Sequence, residues 1–121
     1  MIKQILVIDD DAEVLSFLGE MLEKAGYQVQ VAPDGRMGLD IARQQNFDVI
    51  ITDIIMPEKE GIEVILGIGE QNPEAKIIAI SGGGRIDANV YLDMADRLGV
   101  VKTLRKPFGR RELLDVLKEL S

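Results

Sequence analysis

The chain has 121 residues, 46% of them hydrophobic, with 14 basic against 21 acidic side chains and a net charge of −7; that fits one domain, residues 1–121, able to bury about two-thirds of the surface its unfolded form exposes without a disulfide or metal staple. Cysteine and histidine are both absent, which removes thiolate nucleophiles, zinc–thiolate sites, imidazole catalysis and Ser-His-Asp hydrolysis, and leaves chemistry to carboxylates, amines, hydroxyls or a bound metal. An acidic balance without a basic stripe argues against direct nucleic-acid binding, and the apolar run Ile5–Ile8 stops at Asp9, too short for a signal peptide or a membrane span, so a soluble, cytoplasmic protein is expected.

The first β-rich run is Lys3–Asp9. A helix follows, with Val14, Leu18, Met21, Leu22 and Ala25 on one face, Asp11 as its N-cap and Gly26 as its stop. Tyr27–Ala32 alternates strictly, as an edge strand with one wet face does. Asp34 opens the second helix, whose apolar side is expected from Met37, Leu39, Ile41 and Ala42. The third strand is predicted at Phe47–Asp53, and the third helix at Gly61–Glu70, weakened by Gly67 and Gly69 and ended before Asn72-Pro73. A strand at Lys76–Ser81 and a fourth helix between Ile86 and Leu98 come next. Val100–Arg105 is the last strand, and Arg110–Leu120 the last helix, with Leu113, Leu114, Leu117 and Leu120 on its buried stripe. Met21, Met37, Met56 and Met94 are read as core fillers.

Five βα units make an α/β fold, a doubly wound parallel sheet. The first, third and fourth strands are continuous apolar runs and belong in the middle, which gives the strand order 2-1-3-4-5 of the flavodoxin-like fold. Right-handed crossovers then put the ligand crevice beyond the carboxyl ends of the first and third strands. Asp9, Asp10 and Asp11 end the first of these and Asp53 the other, and such crowding of carboxylates calls for protonation or a hard divalent cation, Mg²⁺ being favoured. Ser81 ends the fourth strand ahead of Gly82-Gly83-Gly84, and Lys106-Pro107 ends the fifth. A metal site, a carboxylate nucleophile, a hydroxyl and an ammonium in one crevice suit phosphoryl transfer.

These residues, over Lys3 to Leu120, resemble the receiver domains of two-component response regulators, the CheY-like family of the bacterial chemotaxis regulator. The resemblance implies that Asp53, in Asp53-Ile54-Ile55-Met56-Pro57 followed by Gly61, is the phosphoacceptor. It implies Asp10 and Asp53 as direct Mg²⁺ ligands, Asp9 as a ligand through water and the Ile55 carbonyl as a backbone ligand. It further implies Ser81 as the switch hydroxyl, Lys106 as the partner of the phosphoryl oxygens, and a cis Lys106–Pro107 peptide. It implies a histidine kinase or histidine phosphotransfer protein as the donor, and this chain, which carries no His, cannot be that donor itself. The protein is then a signalling phosphoacceptor and not an enzyme beyond assisting its own phosphotransfer and dephosphorylation.

Asp11 alone reads as a helix cap. Asp87, Asp93 and Asp96, against Arg110, Arg111 and Lys118 on the last two helices, read as solvated faces, on a surface through which such domains form homodimers. Thr103 stands where many relatives place Tyr or Phe, which leaves the glycine run and Tyr91 to carry the switch; Ile55 gives no hydrogen bond to an attacking water, so rapid self-hydrolysis is not expected. Two competing functions are a haloacid-dehalogenase-like phosphatase using Asp9, set against which glycines stand where its later acidic pair would follow the fourth strand, and a receiver-like module that never takes phosphate, which would be marked by loss of Asp53 or Lys106.

Overall fold

The computed structural model describes residues 2–53, 60–82 and 99–121, with backbone alone at 60–64 and 81–82. Five parallel strands, β1 (Gln4–Ile8), β2 (Gln28–Ala32), β3 (Val49–Asp53), β4 (Lys76–Gly82) and β5 (Val100–Lys106), form one sheet in the order β2-β1-β3-β4-β5. The order expected from strand composition is therefore the observed one. Ile5 through Ile8 and Val49 through Ile51 are fully enclosed, because a strand between two helical layers has no wet face to alternate with. Four helices are described: α1 (Ala12–Lys24), α2 (Gly35–Gln44), α3 (Glu60–Gln71) and α4 (Arg110–Leu120). The helix expected between Ile86 and Leu98, together with Ile55, Met56, Gly83, Gly84, Tyr91 and Met94, lies outside the described residues.

Odd-numbered residues of β1 and β3 (Ile5, Val7, Val49, Ile51) and Ile78 and Ile80 of β4 pack with Leu15, Leu18 and Leu22 of α1 and Leu113, Val116 and Leu117 of α4. Leu6, Ile8 and Ile50, with Ile77 and Ala79 of β4, pack with Ala42 of α2 and Ile65 and Ile68 of α3. Period-2 alternation of side chains across each strand thus builds two cores on one sheet. On β5 the register slips by a residue, Val100 lying opposite Ile77 and Lys102 opposite Ile78. Val101 is the extra residue and is exposed.

Local chemistry explains the helix ends. Asp11 accepts the Glu13 N–H at 2.9 Å and Asp34 accepts the Met37 N–H at 2.8 Å, each satisfying a donor that the first helical turn leaves without a partner. α1 ends at Lys24, and Gly26 follows with φ +102°, a conformation open to a residue without Cβ. Four expectations about the helices are corrected. Met37 is 46% exposed, because it sits on the outer side of α2's first turn while Gly35, Gly38 and Ala42 face the sheet. Ala25 is the exposed C-cap of α1, past its last turn, and in α4 it is Val116 that joins Leu113 and Leu117 in the core while Leu114 and Leu120 are half-buried. Gly67 is less a weak point than a contact: a Cβ there would lie 2.8 Å from Leu39 Cδ1, so its absence lets α3 close on α2.

Candidate functional site

The phase of each strand decides which end residues meet. Asp9 continues the Ile5–Val7 side of β1, and Asp53 the Val49–Ile51 side of β3, so both carboxylates emerge above the core beneath α1 and α4. Leu104 packs in that same core, and Lys106, two residues on, follows it. Its ammonium lies 2.9 Å from Asp9 Oδ2 and 3.1 Å from Asp53 Oδ2. Three strand ends thus converge on a single cation. The Lys106–Pro107 peptide that follows is cis.

Burial makes the electrostatics sharp. Asp9 is 0% exposed and Asp53 4%, where charges are poorly solvated and their interactions are stronger than in water. Burial raises the Asp9 carboxyl above its ordinary range, helped by the neighbouring Asp53 charge and opposed by the Asp11 N–H and by Lys106. Burial of Lys106 acts to lower its pKa, but the hydrogen bonds and charges of Asp9 and Asp53 outweigh that and hold it above the usual lysine value. The lysine is therefore an ammonium at neutral pH, and it is the counter-charge of the pair.

Asp9 Oδ1 accepts the Asp11 N–H at 2.9 Å. Asp9 Oδ2 is fully buried, and among the described residues only the Lys106 ammonium, 2.9 Å away, stands against it. An oxygen in that state, in a group where Asp9, Asp10 and Asp53 bring carboxylate oxygens within 4.8 Å of one another, fits the all-oxygen donor set that a hard divalent cation takes. Asp10 is the exposed member and opens the group to solvent.

Asp9, Asp10, Asp53 and Lys106, named from sequence alone, are brought together. Ser81 lies at the end of β4, its backbone paired with Arg105 beside the site, and its side chain is outside the described residues, as is Ile55. Asp11 stays out of the group as the cap of α1. What sequence reading missed is the bridge: Lys106 was expected to meet a phosphoryl group, and here it clamps two carboxylates. A buried acid pair flanked by one lysine is the signal that could have found it. Among the described residues no helix is long and apolar enough to cross a membrane.

Comparison with known proteins bears directly on this geometry. The model of the response regulator receiver domain matches residues 5–118. The chain is similar to the response regulator receiver protein CpdR of Brucella abortus, 34% identical over 118 residues that cover 98% of this chain and 96% of that protein. It is similar to the transcriptional regulatory protein CpxR of Escherichia coli, 35% identical over 111 residues, which are 92% of this chain but 46% of that protein, so the chain spans about half of that relative's length. A solved structure of a CheY-like receiver domain protein from Methanospirillum hungatei superposes with a TM-score of 0.88 at 28% identity, covering 98% of this chain and 93% of that one.

Proposed function

The chain belongs to the response-regulator receiver domains of two-component signalling, a family of signalling phosphoacceptors, and on that premise we propose that Asp53 is the residue that takes the phosphoryl group. The observation that carries this reading is the clamp: one ammonium within 3.1 Å of two buried carboxylates at the ends of three strands. The donor is a phosphohistidine of a histidine kinase or histidine phosphotransfer protein, the partners of receiver domains, and it lies outside this chain, which has no His. An Asp53 carboxylate oxygen attacks phosphorus, a P–O bond forms, the P–N bond breaks, and the imidazole nitrogen leaves with the bonding pair.

Receiver domains bind Mg²⁺ at an acidic pocket, and here Asp10 and Asp53 would hold it directly, Asp9 through water and Ile55 through its carbonyl. When bound, it supplies two positive charges that neutralise the carboxylates and the phosphoryl oxygens in the crowded transition state. Lys106 exchanges its carboxylate partners for a phosphoryl oxygen, and the Ser81 hydroxyl donates to another. Three carboxylates, the cation and the ammonium then sum to no net charge, so an incoming dianion meets donors without repulsion.

In this reading residues 1–121 are a single receiver domain of the cytoplasm that assists its own phosphotransfer and dephosphorylation, binds no nucleic acid directly and pairs with a second copy through the helix expected between Ile86 and Leu98 and through α4. The test is intact-mass detection after incubation with a small phosphodonor and Mg²⁺. Wild type gains one phosphoryl group and Asp53→Asn gains none, keeping its fold because the change is nearly isosteric. An adduct that survives in Asp53→Asn and disappears in Asp9→Asn would move the nucleophile to Asp9, as in the phosphatases.

A further inference from the structure

β2 closes one edge of the sheet, and among the described residues β1 alone pairs with it. The Gln28 N–H donates to the Lys3 carbonyl, and the Ala32 carbonyl accepts the Asp9 N–H. The alternation of a parallel ladder therefore turns the backbone groups of Gln28, Gln30 and Ala32 toward β1 and those of Val29 and Val31 outward. Among the described residues no strand lies beside the N–H and C=O of those two valines. We propose that this edge is a pairing surface for a second copy of the chain, two β2 strands meeting antiparallel about a two-fold axis at Gln30. The contact lies at the far edge of the sheet from β5 and uses neither helix of the pairing proposed above.

The two edges of the sheet are built differently. A free strand edge is a template for another strand, and bulges and charged side chains are the usual deterrents. β5 carries both, in the slip at Val101 and in the exposed Lys102 and Arg105. β2 carries neither. Its register with β1 is unbroken from Gln28 to Ala32, and Ala25 through Pro33 hold no charged residue in a chain of net charge −7. α1 leaves the edge open, because it passes Val31 at Gly19, where even a Cβ would reach Val31 Cγ1 only at 3.6 Å. Val31 stays 42% exposed, next to the exposed Gln30. A second copy fits for two reasons. Chains of net charge −7 repel each other, and an uncharged stretch is where that repulsion opposes approach least. The segment also complements itself: with Gln30 opposite Gln30, Val29 of each strand faces Val31 of the other as a hydrogen-bonded pair, so each outward donor meets an outward acceptor. Moving the axis to Val31 would instead set Val29 against Pro33, which has no N–H. A strand of 5 residues makes a small contact, below the roughly 1,200 Å² of stable complexes, so the pair is weak and forms at high concentration.

The experiment is sedimentation equilibrium over a concentration series reaching about 1 mM, at which a pair with a Kd of that order holds about half the chains. Wild type should rise from one chain's mass toward two. Val31→Pro removes an outward N–H, leaves the β1 ladder whole and should stay at one chain's mass. Gln30→Lys and Gln30→Glu each set like charges directly opposite at the axis and should also stay single, whereas their equimolar mixture should associate at least as tightly as wild type. Because the chain has no Cys, single cysteines report the register. At a directly opposed, non-hydrogen-bonded pair the Cα atoms stand about 4.5 Å apart, within disulfide reach, so oxidised Gln30→Cys should give covalent pairs and Gln28→Cys, set opposite Ala32, none. A wild type that keeps one chain's mass overturns the inference. So does a dimer that survives both Val31→Pro and Gln30→Lys, which is then the helical one, a mixture no tighter than its two parts, or a Gln28→Cys that bridges as well as Gln30→Cys. Should thermal melting show that Val31→Pro fails to fold, the charge variants at the exposed Gln30 and their mixture decide.

Discussion

Replacing Lys106 by Met keeps the stem and removes the charge that sits between Asp9 and Asp53. At 2.9 and 3.1 Å each contact is worth about 5 to 6 kcal/mol of Coulomb attraction at an effective dielectric of about 20. Against this stands the cost of desolvating the ammonium, several kcal/mol, and breaking one side of a buried pair typically leaves a net loss of about 3 to 5 kcal/mol. The lysine side chain is still 23% exposed, and Asp9, already raised by its burial, can take up a proton once the ammonium is gone. The lower end applies: Lys106→Met should lose about 3 kcal/mol at neutral pH in chelator, or about 10 °C of melting temperature for a domain this size. Two conditions should narrow the gap. Saturating Mg²⁺ replaces the missing positive charge. Acidification does so as well: a carboxyl whose folded pKa is raised binds its proton more tightly in the folded state, so stability gains as pH falls from that raised value toward 3.8, and the gain is larger in the variant. Far-UV circular dichroism melts across pH, with chelator and with Mg²⁺, measure all of this. A loss under about 1 kcal/mol, or one that Mg²⁺ leaves unchanged, would refute the view that this ammonium balances the buried pair.

Asp10→Ala should weaken Mg²⁺ binding and slow phosphorylation by a small phosphodonor, whereas Asp11→Ala should cost about 1 kcal/mol of stability through its lost helix cap and leave the metal titration unchanged; the reverse ranking would misplace the acidic pair. Asp48 accepts the Lys3 and Gln4 N–H groups at 2.8 and 3.0 Å, and these bonds hold its carboxyl below the usual range. Because that folded pKa is depressed, its contribution is present above the ordinary value of 3.8 and is lost as pH falls below it. Asp48→Ala should cost about 1 kcal/mol at neutral pH after solvent screening, in urea melts, with the gap to wild type closing in acid. Gly69→Ala meets nothing within 4 Å and should stabilise α3 by about 0.5 to 1 kcal/mol; a loss in the same melts would show that this glycine is needed where it stands.

Strand order and site membership were legible because both depend on pattern. Continuous apolar runs marked β1, β3 and β4 as interior strands, and each interior strand of a parallel sheet delivers its last residues to one crevice, so Asp9, Asp10 and Asp53 could be grouped without coordinates. Asp11 and Asp34 announced helix starts for equally local reasons. What escaped was whatever depends on distance across the sheet. Met37 matched the apolar side of α2 by type, yet two glycines and Ala42 face β1, and no periodicity of hydrophobic residues reports a helix that docks through its smallest ones. Gly67 read as a helix-weakener because propensity is local and its contact with Leu39 is not. The clamp by Lys106 needed lengths of 2.9 and 3.1 Å that no spacing supplies.

The slip on β5 has a consequence at the opposite end of that strand. Val100 and Leu104 are four residues apart and in an unbroken strand would point the same way, yet Val100 belongs to the core under α2 and α3 and Leu104 to the core under α1 and α4. Val101, doubled against the β4 ladder, is a half-step that turns over everything after it. Without that half-step Lys106 would fall out of phase with Asp9 and Asp53, and Arg105, now exposed to solvent, would be keyed toward them in its place. An exposed valine five residues short of the strand's end, touching none of the chemistry, thus selects which cation the carboxylates meet, much as a single inserted letter sets the reading frame of all that follows.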